Sequence, residues 1–160
     1  MPANRDFGFL LKDVSRLTSR NFERHAARAR LGLSLEQCKV LVHLERNQGI
    51  NQTQLASMTD IDPMTLVRHL DRMERDGWVE RRPDPEDRRA HRLFLTESAL
   101  PLVKRIWAIA DRARRDAFVS LDKSEQTQLL TLLERVRGNL LTAMSTAGTD
   151  EPLPARADTR

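Results

Sequence analysis

Cysteine is nearly missing from this chain. Cys38 stands alone in 160 residues, which excludes an internal disulfide framework and suits a reducing compartment. Long apolar runs are missing too, and none approaches the ~20 residues that a membrane span needs. The opening MPANRDFGFLLKDV mixes acids among its apolar residues and lacks a small-residue cleavage site, so no signal peptide is expected. A cytoplasmic location with no membrane partner follows as the expectation. The four histidines, His25, His43, His69 and His91, include no close ligand pair, so no metal site is expected. There is no glycine-rich phosphate loop and no nucleophile motif, so neither an enzyme nor a cofactor is expected.

Lysine is scarce as well. Of 27 basic residues only Lys12, Lys39, Lys104 and Lys123 are lysine, leaving 23 arginines. The net charge of +4 is a mild sign of a polyanionic partner. Arginine is the residue that forks onto phosphate and guanine and enters narrow minor grooves, although a GC-rich genome enriches it as well.

What is present is helical. At this length the chain makes a single domain, or one domain with an added oligomerisation element. Residues 6 to about 30 read as one long helix whose stripe of Leu10, Leu11, Val14, Leu17 and Phe22 needs a partner. Ser34 and Gln37 have capping-box spacing at the start of a second helix, whose Val40, Leu41, Val42 and Leu44 should be central. Asn51 and Gln54 open a third in the same way, with Leu55, Ala56 and Met58 inward. Thr96 is expected to cap a helix running to about Ser120 with Leu100, Val103, Trp107, Ala110, Ala117 and Phe118 as its stripe. Asp122 and Glu125 open a last helix with Leu129, Leu132, Leu133, Val136, Leu140 and Met144 inward. From Ala147 the sequence is poor in apolar residues and reads as disordered.

The informative stretch lies between, from Asp62 to Thr96. Asp62 can cap a helix that begins at Pro63, and Gly77 can end it. Leu66, Val67, Leu70 and Met73 should face a core, while Thr65, Arg68 and Arg72 fall on the other face as candidate groove contacts, with His69 beside them as a phosphate contact or a solvated side chain. After Gly77 the period changes to two, so Trp78 to Arg82 and His91 to Leu95 read as strands around a proline-bounded loop bearing Asp87, Arg88 and Arg89. The outline is a helix-turn-helix with an arginine-tipped hairpin, a wing. Residues 62–92 nevertheless hold eight arginines and eight acids, so binding would depend on sorting those charges by face. Asp71 and Asp87 are the candidates for holding arginines in place. For Arg68 the competing reading is a surface salt bridge with Asp71 or Asp76.

The segment LVRHLDRMERDGWVERRPDPEDRRAHRLFLT, with its DRR at the hairpin followed by a basic strand and LT, resembles the MarR family of winged-helix regulators, and its SlyA-like branch most. The resemblance spans roughly residues 7–145. It implies a mainly α fold with a small two-stranded β wing, a winged helix-turn-helix plus a helical dimerisation region. The expected layout is an N-terminal dimerisation helix over 1–33, the DNA-binding part over 34–96, C-terminal dimerisation helices over 97–146 and a disordered tail over 147–160. It implies a homodimer on an inverted-repeat operator in double-stranded DNA, acting as a nucleoid-associated repressor in a bacterial cytoplasm and released by a small aromatic or anionic effector. By position, Pro63, Thr65 and Arg68 match the family's recognition-helix contacts, Arg88 and Arg89 its wing arginines, and Asp87 the acid that braces the wing. Geometry agrees, because a symmetric dimer sets two such helices about 34 Å apart.

Two further residues, Arg16 and His43, are candidates for an anion partner in a pocket between the first two helices and the winged part. Cys38 falls where SlyA-type members often carry tryptophan, and its apolar neighbours mark it as a buried structural thiol. The competing function is a winged-helix protein-interaction module without specific DNA binding, supported by the zero net charge of residues 62–92.

Overall fold

The computed structural model describes residues 6–87 and 89–147. Its elements run α1 (Phe7–Arg28), α2 (Leu35–Arg46), β1 (Ile50–Asn51), α3 (Gln52–Thr59), α4 (Pro63–Arg75), β2 (Val79–Pro83), β3 (His91–Leu95), a 3-10 turn (Glu97–Ala99), α5 (Leu100–Ala117) and α6 (Lys123–Ala147). The expected disordered tail lies outside the described residues, save Ala147. The chain divides into two compact units, one ending at Ala117 and the other beginning at Phe118.

In the first unit the helix starts follow from the sequence. Ser34 and Gln37 form a reciprocal capping box at α2, and Asn51 and Gln54 form another at α3. These caps satisfy first-turn N–H groups that would otherwise lack partners. The core is built on α2, where Val40, Leu41 and Leu44 are wholly buried, and it gathers Leu55, Leu66, Leu70, Met73, Val79, Leu93, Val103 and Ile106. Losing any one of the leucines to alanine would cost about 2–5 kcal/mol through lost burial and the cavity left behind.

The sheet has three strands, not only the expected two, in the order β1-β3-β2. Ile50 pairs with Leu93 and Asn51 with Arg92, so the short segment before α3 anchors the middle of β3 to the helices. Gly49 makes that close approach possible: its φ is +80°, and a Cβ there would meet the Phe94 ring at 3.3 Å. The hairpin pairs Val79 with Leu95 and Pro83 with His91. Val79, Leu93 and Leu95 face the core, as the alternation predicts.

Two inward assignments in the first unit and one cap differ from the sequence pattern. In α3 the buried pair is Leu55 and Thr59, four residues apart, while Met58 is 43% exposed. Thr59 is tolerated inside because its hydroxyl donates to the Leu55 carbonyl at 2.7 Å. In α5 the buried face is Val103, Ile106, Ile109 and Ala113, and Leu100 and Ala117 are exposed. Thr96 does precede the 3-10 turn, but its hydroxyl donates to the Gly77 carbonyl at 2.6 Å instead of capping a helix. Ser98 donates to the same carbonyl at 2.6 Å. Together they tie the end of β3 to the turn after α4.

Helices α1 and α5 are joined by polar contacts as well as packing. Asn21 donates to the Ala113 carbonyl at 3.0 Å, and Asp116 takes His25 at 2.7 Å and Arg24 at 3.1 Å. The His25 bond is the main reason the Asp116 carboxyl is held below the usual carboxylate range. The first half of α1 is apolar and uncovered: Phe9 is 80% exposed and Leu10 64%. In the second unit, Asp122 and Glu125 bond reciprocally at the start of α6. No described residue of α6 is buried, so the stripe expected inward, Leu129, Leu132, Leu133, Val136, Leu140 and Met144, is not covered.

Candidate nucleic-acid interface

Helix α4 is presented by the turn that precedes it. Asp60 adopts a left-handed conformation at φ +54°, which a short acid tolerates, and Ile61 is buried and docks the turn. Asp62 then accepts from the Met64 and Thr65 N–H groups at 3.1 Å each, with Pro63 in the first turn. With the helix start fixed, Leu66, Leu70 and Met73 are fully buried and the opposite face is turned outward.

On that outward face Arg68 donates to the Thr65 hydroxyl at 3.1 Å. This bond orients the guanidinium while leaving most of its five donors free. Arg68 makes no ion pair with Asp71 or Asp76; Asp76 instead lies 3.8 Å from Arg72. His69 departs from its expected place beside these residues. Its ring is largely covered and meets Glu36 of α2 at 2.9 Å, so it holds α4 against α2.

The hairpin is clamped to the same helix. Arg81 of β2 donates to Asp71 at 2.7 Å and also bonds Glu74, bridging two turns of α4. Arg82 pairs with Glu80 and lies 4.2 Å above the Phe94 ring, a cation–π contact. Farther out, Asp84 accepts from Arg92 at 2.8 Å and from the Glu86 N–H at 2.8 Å. Those bonds, Arg92 first, keep the Asp84 carboxyl ionised to lower pH than an ordinary aspartate. The tip is closed by Asp87, whose side chain accepts from the Arg89 N–H at 2.9 Å. Arg89 is exposed beside it; Arg88 lies outside the described residues.

The acids of residues 62–92 are therefore spent unevenly. Arg72, Arg81, Arg82 and Arg92 have acidic partners. Arg68, Arg75 and Arg89 form no ion pair among the described residues. A stretch of zero net charge thus keeps available cations on α4 and at the hairpin tip.

A cavity of about 160 Å³ lies among α1, α2 and α5, lined by Phe22, Cys38, Lys39, Val42, His43 and Trp107 among others. Trp107 is fixed there by donating to Glu45 at 2.7 Å and by Arg46 4.7 Å from its ring. His43 has its pKa lowered by burial first, then by Arg46 and Lys39, so its ring stays neutral to lower pH than an ordinary histidine. Arg16 does not join it. It pairs with Asp13 on exposed α1 and lines a separate shallow pocket with Phe9 and Leu10. The expected shared site of Arg16 and His43 is thus two places, because Arg16 lies on the uncovered half of α1. Among the described residues no His, Cys, Asp and Glu cluster could hold a metal ion, and no helix is long and apolar enough to cross a membrane.

The family model for the MarR family matches residues 33–91, from just before α2 to the start of β3. A crystal structure of the transcriptional regulator PA3341 is 37% identical, covers 85% of this chain and 98% of its own, and superposes with a TM-score of 0.73. The chain belongs to the MarR family. A MarR-family transcriptional regulator from Rhodococcus sp. RHA1 is 26% identical over 85% of this chain and 95% of its own, with a TM-score of 0.73. A single-site mutant of MarR from E. coli, crystallised with operator DNA, is 26% identical over 81% of this chain and 91% of its own, with a TM-score of 0.67.

Within this MarR-family chain, sequence reasoning missed three residues of the candidate interface. Arg81 and Asp84 were legible as charges, but the partners of Arg81 depend on how the hairpin meets α4, and the Arg92 partner of Asp84 on how the hairpin folds back on itself. Met64 is 69% exposed on the outward face of α4, and its signal was available in the helical spacing, four residues before Arg68.

Proposed function

We propose that the protein is a sequence-specific regulator of transcription that binds an inverted-repeat operator in double-stranded DNA as a homodimer. One observation carries the reading: Arg68, oriented by Thr65, and the exposed Arg89 belong to two elements that Arg81 locks together. Helix α4 enters the major groove, where Arg68 forks onto guanine. Pro63, Thr65 and Arg72 line the same helix, and Arg88 and Arg89 reach the flanking minor groove, with Asp71 bracing the wing through Arg81 and Asp87 closing its tip. His69, held by Glu36, sets the angle of the helix more than it touches phosphate.

The homodimer is supported by apolar surface. Phe9, Leu10 and Val14 on α1 and, taken separately, Leu130, Leu140, Leu141 and Met144 on α6 are each more than half exposed, and exposed apolar side chains grouped along a helix favour a partner. A second copy covers these helices, with residues 1–33 and 97–146 as dimerisation segments around a DNA-binding part over 34–96. A small aromatic or anionic effector fits the cavity beside His43. Its volume is about 160 Å³, close to the ~150 Å³ that holds a benzene ring in other proteins, and Lys39 supplies the charge.

Gel-shift titration against the DNA upstream of the protein's own gene, at several salt concentrations, tests the reading. A specific complex on an inverted repeat is expected, with log affinity falling by about 0.9 per neutralised phosphate for each unit of log salt. Absence of any salt-sensitive specific complex would favour a winged-helix protein-interaction module. The zero net charge of residues 62–92 is the observation on that side.

A further inference from the structure

We infer that Met64 is a specificity-determining residue of the proposed interface, reading the C5-methyl group of a thymine in the major groove. This rests on the DNA-binding reading of α4 and deepens it. Met64 is 69% exposed, and the next most exposed large apolar side chain between residues 34 and 96 is Met58 at 43%. Its neighbours on the outward face are Thr65, Arg68 and Arg72, so nothing apolar in the fold covers it. Its backbone is nonetheless fixed, since its N–H donates to Asp62 at 3.1 Å.

The chemistry of the groove offers this side chain one match. Base edges in the major groove present donors, acceptors and a single apolar group, the thymine methyl. Thr65 also carries a methyl group, but it is only partly exposed and its hydroxyl holds it to Arg68 at 3.1 Å, whereas Met64 projects a longer and far more exposed side chain. Met64 lies one turn nearer the helix N-terminus, the end from which such helices reach base edges. Four residues of α-helix advance about 6 Å, roughly two base-pair steps of ~3.4 Å. The thymine therefore lies one or two base pairs from the guanine taken by Arg68. An unbranched thioether can settle on a methyl group without a pre-shaped pocket.

The test starts from an operator selected by the full-length wild-type protein from a random duplex library. Each thymine of the half-site is then replaced by deoxyuridine, which removes only the methyl, and dissociation constants are measured for wild type, Met64→Ala and Met64→Leu. For wild type, one thymine per half-site should show a loss of about fourfold, the factor expected for one buried methyl-sized group. Met64→Ala should bind thymine and deoxyuridine operators equally, and Met64→Leu should restore the penalty. Circular dichroism of the variants should match wild type, as expected for a solvent-facing side chain. Equal deoxyuridine penalties in wild type and Met64→Ala, or no penalty at any thymine, would overturn the assignment alone. A selection that enriches no sequence would overturn the DNA-binding reading and this assignment with it.

Discussion

Replacing Arg81 with glutamine would remove the clamp between the wing and α4 while keeping a polar side chain of similar reach. Arg81 is 21% exposed, but its partners Asp71 and Glu74 are 53% and 42% exposed, so solvent screens both pairs. Exposed pairs contribute about 0.2–1 kcal/mol each, which sets the clamp at roughly 0.5–2 kcal/mol. For a chain of this size that corresponds to a fall in Tm of about 1–8 °C. The clamp's free energy also limits its effect on binding. If Arg81 acts only by keeping the wing in its DNA-competent position, affinity cannot drop by more than the population it secures, at most about 30-fold. A double-mutant cycle of Arg81→Gln and Asp71→Asn, read by thermal denaturation and by operator binding, separates clamp from direct contact. The two substitutions together should lose less affinity than the sum of the singles. Additive losses in affinity would refute the clamp, as would a loss well beyond 30-fold for Arg81→Gln alone, since Arg81 would then touch DNA itself.

Arg68→Ala should relax sequence preference, losing about 1–3 kcal/mol on the selected operator and far less on random DNA. Arg88→Ala with Arg89→Ala should weaken binding to both alike; gel-shift competition distinguishes the two patterns. Cys38 is 3% exposed and burial pushes its thiol up to about 11, so it should react with a thiol-specific chromogenic disulfide near pH 8 only after denaturation. His43 has a native pKa below its unfolded value of about 6.5, so the unfolded chain takes up the proton first and stability falls as pH drops through and below that value. Thermal denaturation between pH 5 and 7.5 should therefore show a shallower pH slope for His43→Gln than for wild type.

Local chemistry made much of the DNA-binding part legible. The capping of α4 by Asp62, the buried stripe of Leu66, Leu70 and Met73 and the left-handed Gly77 each depend on residues within a few positions of one another. The strand Ile50–Asn51 was not legible, because two residues carry no period and their partner lies more than forty positions away. The buried face of α5 was ambiguous for the opposite reason. Apolar residues at 102, 103, 106, 107, 108, 109 and 110 cover most of the helix, so packing against α1 and α2 selects Val103, Ile106 and Ile109. His69 could be assigned to a face within a few tens of degrees, but only Glu36 on a neighbouring helix decides which way the ring turns. Side-chain roles that depend on two elements meeting are the part a single sequence withholds.

The charge balance of residues 62–92 has a physical use of its own. Eight arginines with no acids would bind any polyanion, and sequence preference would be lost beneath the phosphate term. Here the acids lie where they fix structure. Asp71 and Glu74 hold Arg81, Asp84 holds Arg92, and Asp76 stands near Arg72. Three cations are thereby withdrawn from nonspecific attraction, and the one held by two acids, Arg81, fixes the angle between wing and helix. Among the described residues the arginines left without an acid are few: Arg68 and Arg75 on the helix and Arg89 at the tip, with Arg68 oriented by Thr65. A protein built this way should show a modest salt slope and a high ratio of specific to nonspecific affinity. Replacing Asp71, Glu74 or Asp84 by its amide should steepen the first and lower the second.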